Sequence, residues 1–266
     1  PDFGTAIVLS GCIAIISATA PLFDATTRPG LVHVFDRCKG EQWVWVKTIV
    51  AAGTTPGDYF GAGLALSGND LLVGAPGSDN GLGAVYYYVH SGDSWTLRQR
   101  FVEAGARAHP TFGRALGLHD SLAVVSGSKF VDFDVPRTGF SLVFKRTGAK
   151  WSQLQELEPQ LPGDIHATGW DAFGSAILVT ADRVLIGAPG PFMHGYDLPG
   201  FLFVYKRNGD ALALEEQLEG FADVAYFGAS FAVDGRTLVV GSPAYRSTSI
   251  SSRDGEAYVY QLPAAP

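Results

Sequence analysis

Short apolar runs separated by tight polar turns recur along the whole chain. The runs at 84–88 and 176–179 are dominated by aliphatic, β-branched and aromatic residues, which are the residues that strands prefer. The turns between such runs are only a few residues long, for example at 67–70. No segment repeats its apolar residues with the period of a helix. The pattern therefore predicts an all-β protein of many short strands.

The apolar runs fall into five copies of one unit. Each copy opens with a Phe-Gly pair, and the pairs are Phe3-Gly4, Phe60-Gly61, Phe112-Gly113, Phe173-Gly174 and Phe227-Gly228. Two apolar strands follow each pair, and the second ends in small residues such as Gly74-Ala75-Pro76. A third strand then begins at a glycine, and these glycines are Gly30, Gly83, Gly139, Gly200 and Gly255. A fourth, more polar strand is marked by tryptophan in the first three copies.

Repeated units of four strands predict a β-propeller, because one such sheet cannot bury both of its faces alone. A sandwich of unrelated hairpins would not keep the two glycine signals in phase. We expect a single domain over 1–266, with blades at about 3–50, 59–104, 111–158, 172–219 and 226–262. We also expect the first three strands of each blade to be buried on both faces.

The last blade lacks a fourth strand within this chain. It is therefore expected to have three strands or to be completed by polypeptide from outside the chain. Two alternatives follow, a compact five-bladed ring and a part of a longer protein, and the ring is favoured.

The charge and hydropathy of the chain exclude two classes of partner. A formal net charge of −7 argues against a nucleic-acid-binding surface, which needs a basic patch. No apolar run is long enough to span a membrane. We therefore expect neither nucleic acid nor a membrane span.

The two cysteines are expected to form a disulfide. Cys12 opens the second strand of the first unit, and Cys38 lies just past the end of the third. Those strands should be antiparallel neighbours, which brings both residues to the same edge of the blade at bonding distance. Such a pair indicates an oxidising compartment. The alternative is two unrelated buried thiols.

The registered Phe-Gly and Gly-Ala-Pro motifs resemble the FG-GAP repeats of integrin α-subunit propellers and of extracellular microbial and algal proteins. The resemblance covers nearly the whole chain and implies a secreted or cell-surface protein with a binding or cell-adhesion role. Members of the family usually have seven blades, whereas this chain has five copies of the repeat. In calcium-binding members an Asp-rich loop joins the first two strands of a blade. Here that connection is a short turn with at most one Asp, so we expect no calcium, no other metal and no cofactor.

Catalytic motifs are absent from the sequence. The six histidines show no metal-ligand spacing, and no nucleophile elbow or phosphate loop occurs. A glycosidase would need two carboxylates across the propeller mouth, and Asp2, Asp58 and Asp171 lie just before first strands. Capping of loop ends is the commoner role for such residues.

The connections between strands two and three and between blades are long and unequal, as functional loops on a rigid scaffold tend to be. We call the surface that they form the long-loop face. Its aromatic and charged side chains suit the stacking of sugar rings or the anchoring of a protein partner. The candidate ligand-binding residues are Phe23, Phe130, Asp132, Phe133, Asp134, Arg137, Trp170, Phe192, His194, Tyr196, Asp197, Tyr245 and Arg246.

The sequence thus predicts an extracellular interaction module, not an enzyme, that binds a protein or, like a lectin, a glycan through the long-loop face. One alternative is a structural subunit of an extracellular assembly or filament, and a further alternative is a glycosidase. Large apolar patches on outer strands would favour assembly, and a concave aromatic pocket would favour a lectin.

Overall fold

The computed structural model describes residues 2–19, 29–38, 40–103, 111–128, 139–159, 172–189, 200–220, 226–243 and 255–264. Within these ranges the chain forms five antiparallel sheets, four of four strands and one of three. The strands of each sheet lie side by side in chain order. This arrangement confirms the predicted all-β propeller of five blades, including the three-stranded last blade.

The strands of the five blades have the following bounds. Blade one contains β1 (Asp2–Ser10), β2 (Ile13–Thr19), β3 (Leu31–Asp36) and β4 (Val44–Ile49). Blade two contains β5 (Leu64–Ser67), β6 (Asp70–Ala75), β7 (Ala84–Ser91) and β8 (Ser94–Phe101). Blade three contains β9 (Leu116–His119), β10 (Leu122–Ser128), β11 (Gly139–Thr147) and β12 (Lys150–Leu157). Blade four contains β13 (Ala176–Val179), β14 (Arg183–Ala188), β15 (Phe201–Asn208) and β16 (Ala211–Glu219). Blade five contains β17 (Ser230–Asp234), β18 (Thr237–Ser242) and β19 (Glu256–Gln261).

The described ranges hold one short helical turn, α1 (Ser78–Gly81), in the connection between β6 and β7. Two of its residues, Asp79 and Asn80, adopt left-handed backbone angles. Asparagine and aspartate tolerate this conformation better than other non-glycine residues. This segment is therefore a turn within the loop and not a regular helix.

The chain forms two compact units. Unit one comprises Pro1–Gly127 and Leu142–Glu156, and unit two comprises Ser128–Ser141 and Leu157–Pro266. Blades one and two lie in unit one, and blades four and five lie in unit two. Blade three has residues in both.

In unit one, successive blades meet where a Phe-Gly pair crosses the start of the preceding blade's third strand. A Cβ added to Gly30 would overlap the carbonyl oxygen of Phe60, and one added to Gly83 would overlap that of Phe112. Gly83 also forms a parallel bridge with Phe112. Only glycine allows two backbones to approach this closely, so the two glycine signals of the repeat mark one junction.

In unit two the same junction recurs at Gly139 with Phe173 and at Gly200 with Phe227. Both phenylalanine rings are buried. Phe227 packs with Leu202, Val204 and Leu238, which joins blade four to blade five through an apolar core. A buried phenylalanine contributes roughly 1.5–3 kcal/mol relative to an exposed one.

The prediction that the first three strands of every blade are buried on both faces is wrong for blades one and five. β1, β17 and β19 alternate between partly buried and exposed residues, whereas β14 is buried throughout. Burial of a sheet face requires a neighbouring sheet. In blades one and five, the described side chains on one face are largely exposed.

Candidate interaction surface

All thirteen candidate ligand-binding residues of the long-loop face lie outside the described residues. They are Phe23, Phe130, Asp132, Phe133, Asp134, Arg137, Trp170, Phe192, His194, Tyr196, Asp197, Tyr245 and Arg246. Their assignment as a site stays a prediction.

The connection between β6 and β7 is a loop of this class that the structure describes completely. Its Asp79 accepts a hydrogen bond of 2.7 Å from Arg100 of β8, and the Arg100 Nε donates to the Tyr86 hydroxyl at 3.3 Å. The carbonyls of Gly81 and Leu82 accept hydrogen bonds from the next blade, at Thr111 and Phe112. This loop is thus tied to two blades of unit one by its backbone and its single carboxylate.

The carboxylate of Asp58, considered above for glycosidase chemistry, has a local partner. It accepts hydrogen bonds from the Thr55 backbone N–H at 2.9 Å and from the Thr55 hydroxyl at 3.1 Å. The Asp58 carbonyl accepts a further bond from the Gly77 N–H. These contacts match the loop-capping role that such residues commonly have.

One face of blade one carries an exposed apolar surface. Strand register places Leu9, Ala14, Phe35 and Trp45 opposite one another across all four strands. Cross-strand partners point to the same side of a sheet. We call this surface the blade-one face and define it by six side chains: Phe3, Ile7, Leu9, His33, Phe35 and Trp45.

Aromatic rings organise the blade-one face. The Phe3 ring lies 5.6 Å from the His33 ring and 6.4 Å, edge-on, from the Phe35 ring. Thr48 and the Nδ1 of His33 share a hydrogen bond of 2.9 Å, which holds the imidazole in place. Phe3 is nevertheless 61% exposed and Trp45 is 56% exposed. Large exposed apolar patches usually mark interaction sites.

The equivalent face of blade two is buried. Counting from the glycine that begins each third strand, His33 and Phe35 correspond to Tyr86 and Tyr88, which lie in the core between blades one and two. The blade-one face therefore has the composition of a blade-packing surface, and no neighbour covers it among the described residues.

The outer edge of blade one extends this surface. Trp43 is partly exposed, and the Arg37 guanidinium lies 4.9 Å from the centroid of its ring. Val44 and Val46 of β4 are also exposed. Tryptophan and arginine are enriched among the residues that dominate binding energy at protein interfaces.

The predicted disulfide is confirmed, and it lies at this edge. Cys12 and Cys38 are bonded, with their Cα atoms 5.1 Å apart. The Cys38 N–H donates to the Asp36 carboxylate. Within the described ranges, these three residues are the single group of potential metal ligands in mutual reach, and the bond between the two sulfurs removes both thiols as ligands.

Comparison with known sequences identifies the repeat. Residues 43–88 match the sequence model of the FG-GAP repeat, and they run from the outer strand of blade one into the third strand of blade two. The chain is an FG-GAP repeat β-propeller. A search of curated proteins finds no match for it.

Solved structures share the fold of this FG-GAP propeller. Acylaminoacyl peptidase from Pyrococcus horikoshii aligns with a TM-score of 0.51 and 10% identity, over 96% of this chain and 37% of that one. A mutant of the NanB sialidase from Streptococcus pneumoniae aligns with a TM-score of 0.50 and 15% identity, over 83% of this chain and 33% of that one. The propeller thus spans about a third of the length of the solved proteins that it matches. At these identities the likeness concerns the fold alone.

Within the described part of the FG-GAP propeller, no helix has the length and hydropathy that a membrane crossing requires.

Sequence reasoning missed the blade-one face because it used Phe3 only as a marker of the repeat. No local signal marks it, because the residue pattern of β1 is that of a packed strand.

Proposed function

We propose that this FG-GAP propeller is a protein-interaction module, not an enzyme, and that its partner binds the blade-one face. One observation carries the proposal: Leu9 and Trp45, at the two ends of an apolar row that crosses four strands, are exposed, and so is Phe3 on the same face. Burial of such side chains on binding releases roughly 25 cal/mol per Å² of apolar surface. The exposed side chains are spread over the face of a four-stranded sheet, which suits another protein better than a sugar ring.

The experiment is a parallel screen of purified protein on an array of extracellular proteins and on a glycan array, with calcium and with chelator. The variants are Trp45→Ser and, as a matched control, Leu154→Ser, since Leu154 is similarly exposed on the outer strand of blade three. We expect a protein target that wild type and Leu154→Ser bind equally and that Trp45→Ser binds at least tenfold more weakly.

Three outcomes would contradict the proposal. Binding to glycans alone would favour a lectin. Binding that Trp45→Ser leaves intact and Trp170→Ala removes would move the site to the long-loop face. Binding that chelator abolishes would require a metal site that we do not expect.

We further propose that the module works outside the cell, because the Cys12–Cys38 disulfide needs an oxidising compartment. The test is thiol alkylation of protein taken directly from its natural source, followed by mass measurement with and without prior reduction. We expect alkylation only after reduction. Alkylation of both thiols without reductant would contradict an extracellular location.

A further inference from the structure

We propose that the outer edge of blade two binds an extended, acidic segment of a partner protein, which adds to β8 as a further strand. This edge is separate from the blade-one face, so the inference goes beyond the proposed function and does not depend on it. It rests on the backbone groups that point outward from the last strand of a blade.

In blade three, a side chain of blade two caps these outward groups. The Gln99 amide N–H donates to the Trp151 carbonyl at 3.1 Å, and the Gln99 carbonyl oxygen accepts from the Trp151 N–H at 2.7 Å. One side chain thus makes the two hydrogen bonds that a neighbouring strand would make. Because unpaired groups at a sheet edge are a template for pairing with another chain, the cap closes this part of the edge of β12.

The equivalent residue of blade two is Trp95, and its backbone groups also point outward. Trp95 is the second residue of β8 and lies opposite His90 of β7. The His90 N–H donates to the Asn69 carbonyl, on the other side of β7, at 2.8 Å. His90 and Trp95 are therefore a non-hydrogen-bonded pair, in which the N–H and C=O of Trp95 point away from β7. Since β8 is the last strand of its sheet, these groups lie at the sheet edge.

Blade one places a lysine where the capping glutamine would be. Lys47 of β4 takes the register position that Gln99 takes in β8, since each pairs with the residue four places after the glycine that begins the third strand. The Trp95 ring lies in one core with Val34 and Ile49 of blade one, so blade one flanks this edge. An ammonium group donates hydrogen bonds but accepts none. Lys47 therefore cannot satisfy the Trp95 N–H, and the edge of β8 stays open to a strand.

The charges at this edge favour an acidic occupant. β8 contains Arg98 and Arg100 and no acidic residue. Arg100 forms an ion pair with Asp79, whereas Arg98 is exposed. Lys47 adds a further cation from blade one. In peptide recognition by strand addition, main-chain hydrogen bonds provide affinity and side chains provide specificity, so acidic side chains would select for this edge.

The experiment titrates isotope-labelled protein with a synthetic peptide of eight threonines and two central, consecutive glutamates. Side chains of a strand alternate between its two faces, so this peptide offers one carboxylate on each face. Amide hydrogen exchange locates the binding, and fluorescence anisotropy of end-labelled peptide measures its affinity. In the free protein we expect fast exchange at the Trp95 amide and slow exchange at the Trp151 amide. The peptide should slow exchange at Trp95 at least tenfold.

Two control peptides separate the contributions of charge and backbone. Replacement of both glutamates by lysine should weaken binding at least tenfold. Methylation of alternate backbone nitrogens in the original peptide, on the edge that would pair with β8, should abolish binding, because those groups can no longer donate to the strand.

The decisive variant is Lys47→Gln, which supplies the missing cap. It should slow exchange at Trp95 without peptide and weaken peptide binding at least tenfold. Lys150→Gln is the matched control, because it makes the same change at an exposed position of β12, and it should leave both measurements unchanged. The reciprocal variant, Gln99→Lys, should speed exchange at Trp151 and create a second peptide site. Slow exchange at the buried strands verifies that each variant is folded.

Three results would overturn the inference. The first is an acidic peptide that fails to bind at millimolar concentration, and the second is equal binding by wild type and Lys47→Gln. The third is a Trp95 amide that becomes protected without peptide as protein concentration rises, which would assign the edge to a second copy of this chain. None of these results bears on Trp45, so the array screen tests the proposed function separately.

Discussion

The Phe-Gly pair joins two blades by burying a ring and by letting two backbones approach each other. At Gly113 a positive φ and a close carbonyl oxygen both require glycine. At Gly4 the φ is equally positive, but the space beside it is open. The same substitution at Gly4 and at Gly113 therefore separates the cost of backbone strain, which both variants have, from the cost of a steric overlap, which only the Gly113 variant has.

We predict that Gly113→Ala destabilises the isolated monomer far more than Gly4→Ala does. Strain at a left-handed residue costs about 1–2 kcal/mol in either variant. In Gly113→Ala the new Cβ must also displace the Ala84 carbonyl from the junction, and the total should be about 3 kcal/mol or more. Urea unfolding at low protein concentration measures both. Equal losses would mean that Gly4 also contacts a neighbour in the isolated chain.

A polar network fixes a tyrosine at the boundary of blades two and three. The Tyr87 hydroxyl donates a hydrogen bond of 2.6 Å to Asp70, which also accepts one of 2.8 Å from Arg146. The Tyr87 ring meets the Trp151 ring edge-on, and the Gln99 side chain bonds both backbone groups of Trp151. Burial, reinforced by the bond to Asp70, raises the pKa of Tyr87 to about 12.

We predict a loss of stability in strong alkali that depends on Tyr87. Because its pKa is raised above the unfolded value of about 10, the stabilisation is complete below pH 10 and is lost as the pH rises towards 12. Ionised Tyr87 cannot donate to Asp70, and the two negative charges repel each other. Ultraviolet titration of Tyr87→Phe should lack one late tyrosine ionisation, and its stability should fall less steeply over this range. A titration curve identical to that of wild type would contradict this account.

At the scale of strands, two cross-links tie partly exposed strands to their neighbours in the same blade. The first is the disulfide, which ties the turn between β1 and β2 to the end of β3 and closes a sequence separation of 26 residues. The second is Arg183 of β14. Its buried guanidinium bonds the Glu215 carboxylate of β16 at 2.7 Å and the Pro263 carbonyl at 2.9 Å.

We predict that removal of the disulfide lowers the free energy of unfolding by about 3 kcal/mol, which is the value expected for a closed loop of this length. The double variant Cys12→Ser, Cys38→Ser is compared with reduced and oxidised wild type by urea unfolding. The variant and the reduced protein should agree. An oxidised protein no more stable than the variant would mean that the bond stabilises nothing.

We predict that Glu215→Ala costs about 2 kcal/mol, because the buried Arg183 guanidinium loses its main partner and keeps only Asp182 and the Pro263 carbonyl. The guanidinium group of arginine is not deprotonated in proteins, so loss of the arginine's own charge cannot relieve the penalty. Glu216→Ala, at the exposed neighbouring position, is the control and should change stability by at most about 0.5 kcal/mol. Equal effects of the two substitutions would contradict a specific role for the buried pair.

The strands and the disulfide could be predicted from sequence because both follow from local pattern. Apolar runs and turn glycines define each strand, and register then places Cys12 beside Cys38. The burial of β1 and β19 could not be predicted in this way, because it depends on whether another sheet lies against them. The residue pattern of β1 is that of a packed strand, although Phe3 and Leu9 are exposed.

At the scale of the whole molecule, the repeat explains both the fold and the proposed interaction. Each blade offers one face to the blade before it and a different face to the blade after it. Blade one and blade five each leave one of these faces exposed within the described residues. The same complementarity that joins successive blades is therefore available to a partner.

The most direct test of this account is hydroxyl-radical footprinting of the wild-type protein, alone and bound to its protein target. The account predicts that Phe3 and Trp45 are strongly modified in the protein alone and protected in the complex, while Phe60 and Tyr86 are protected in both. Protection of Phe3 and Trp45 in the protein alone would show that the chain covers this face itself, and strong modification in the complex would show that the partner binds elsewhere.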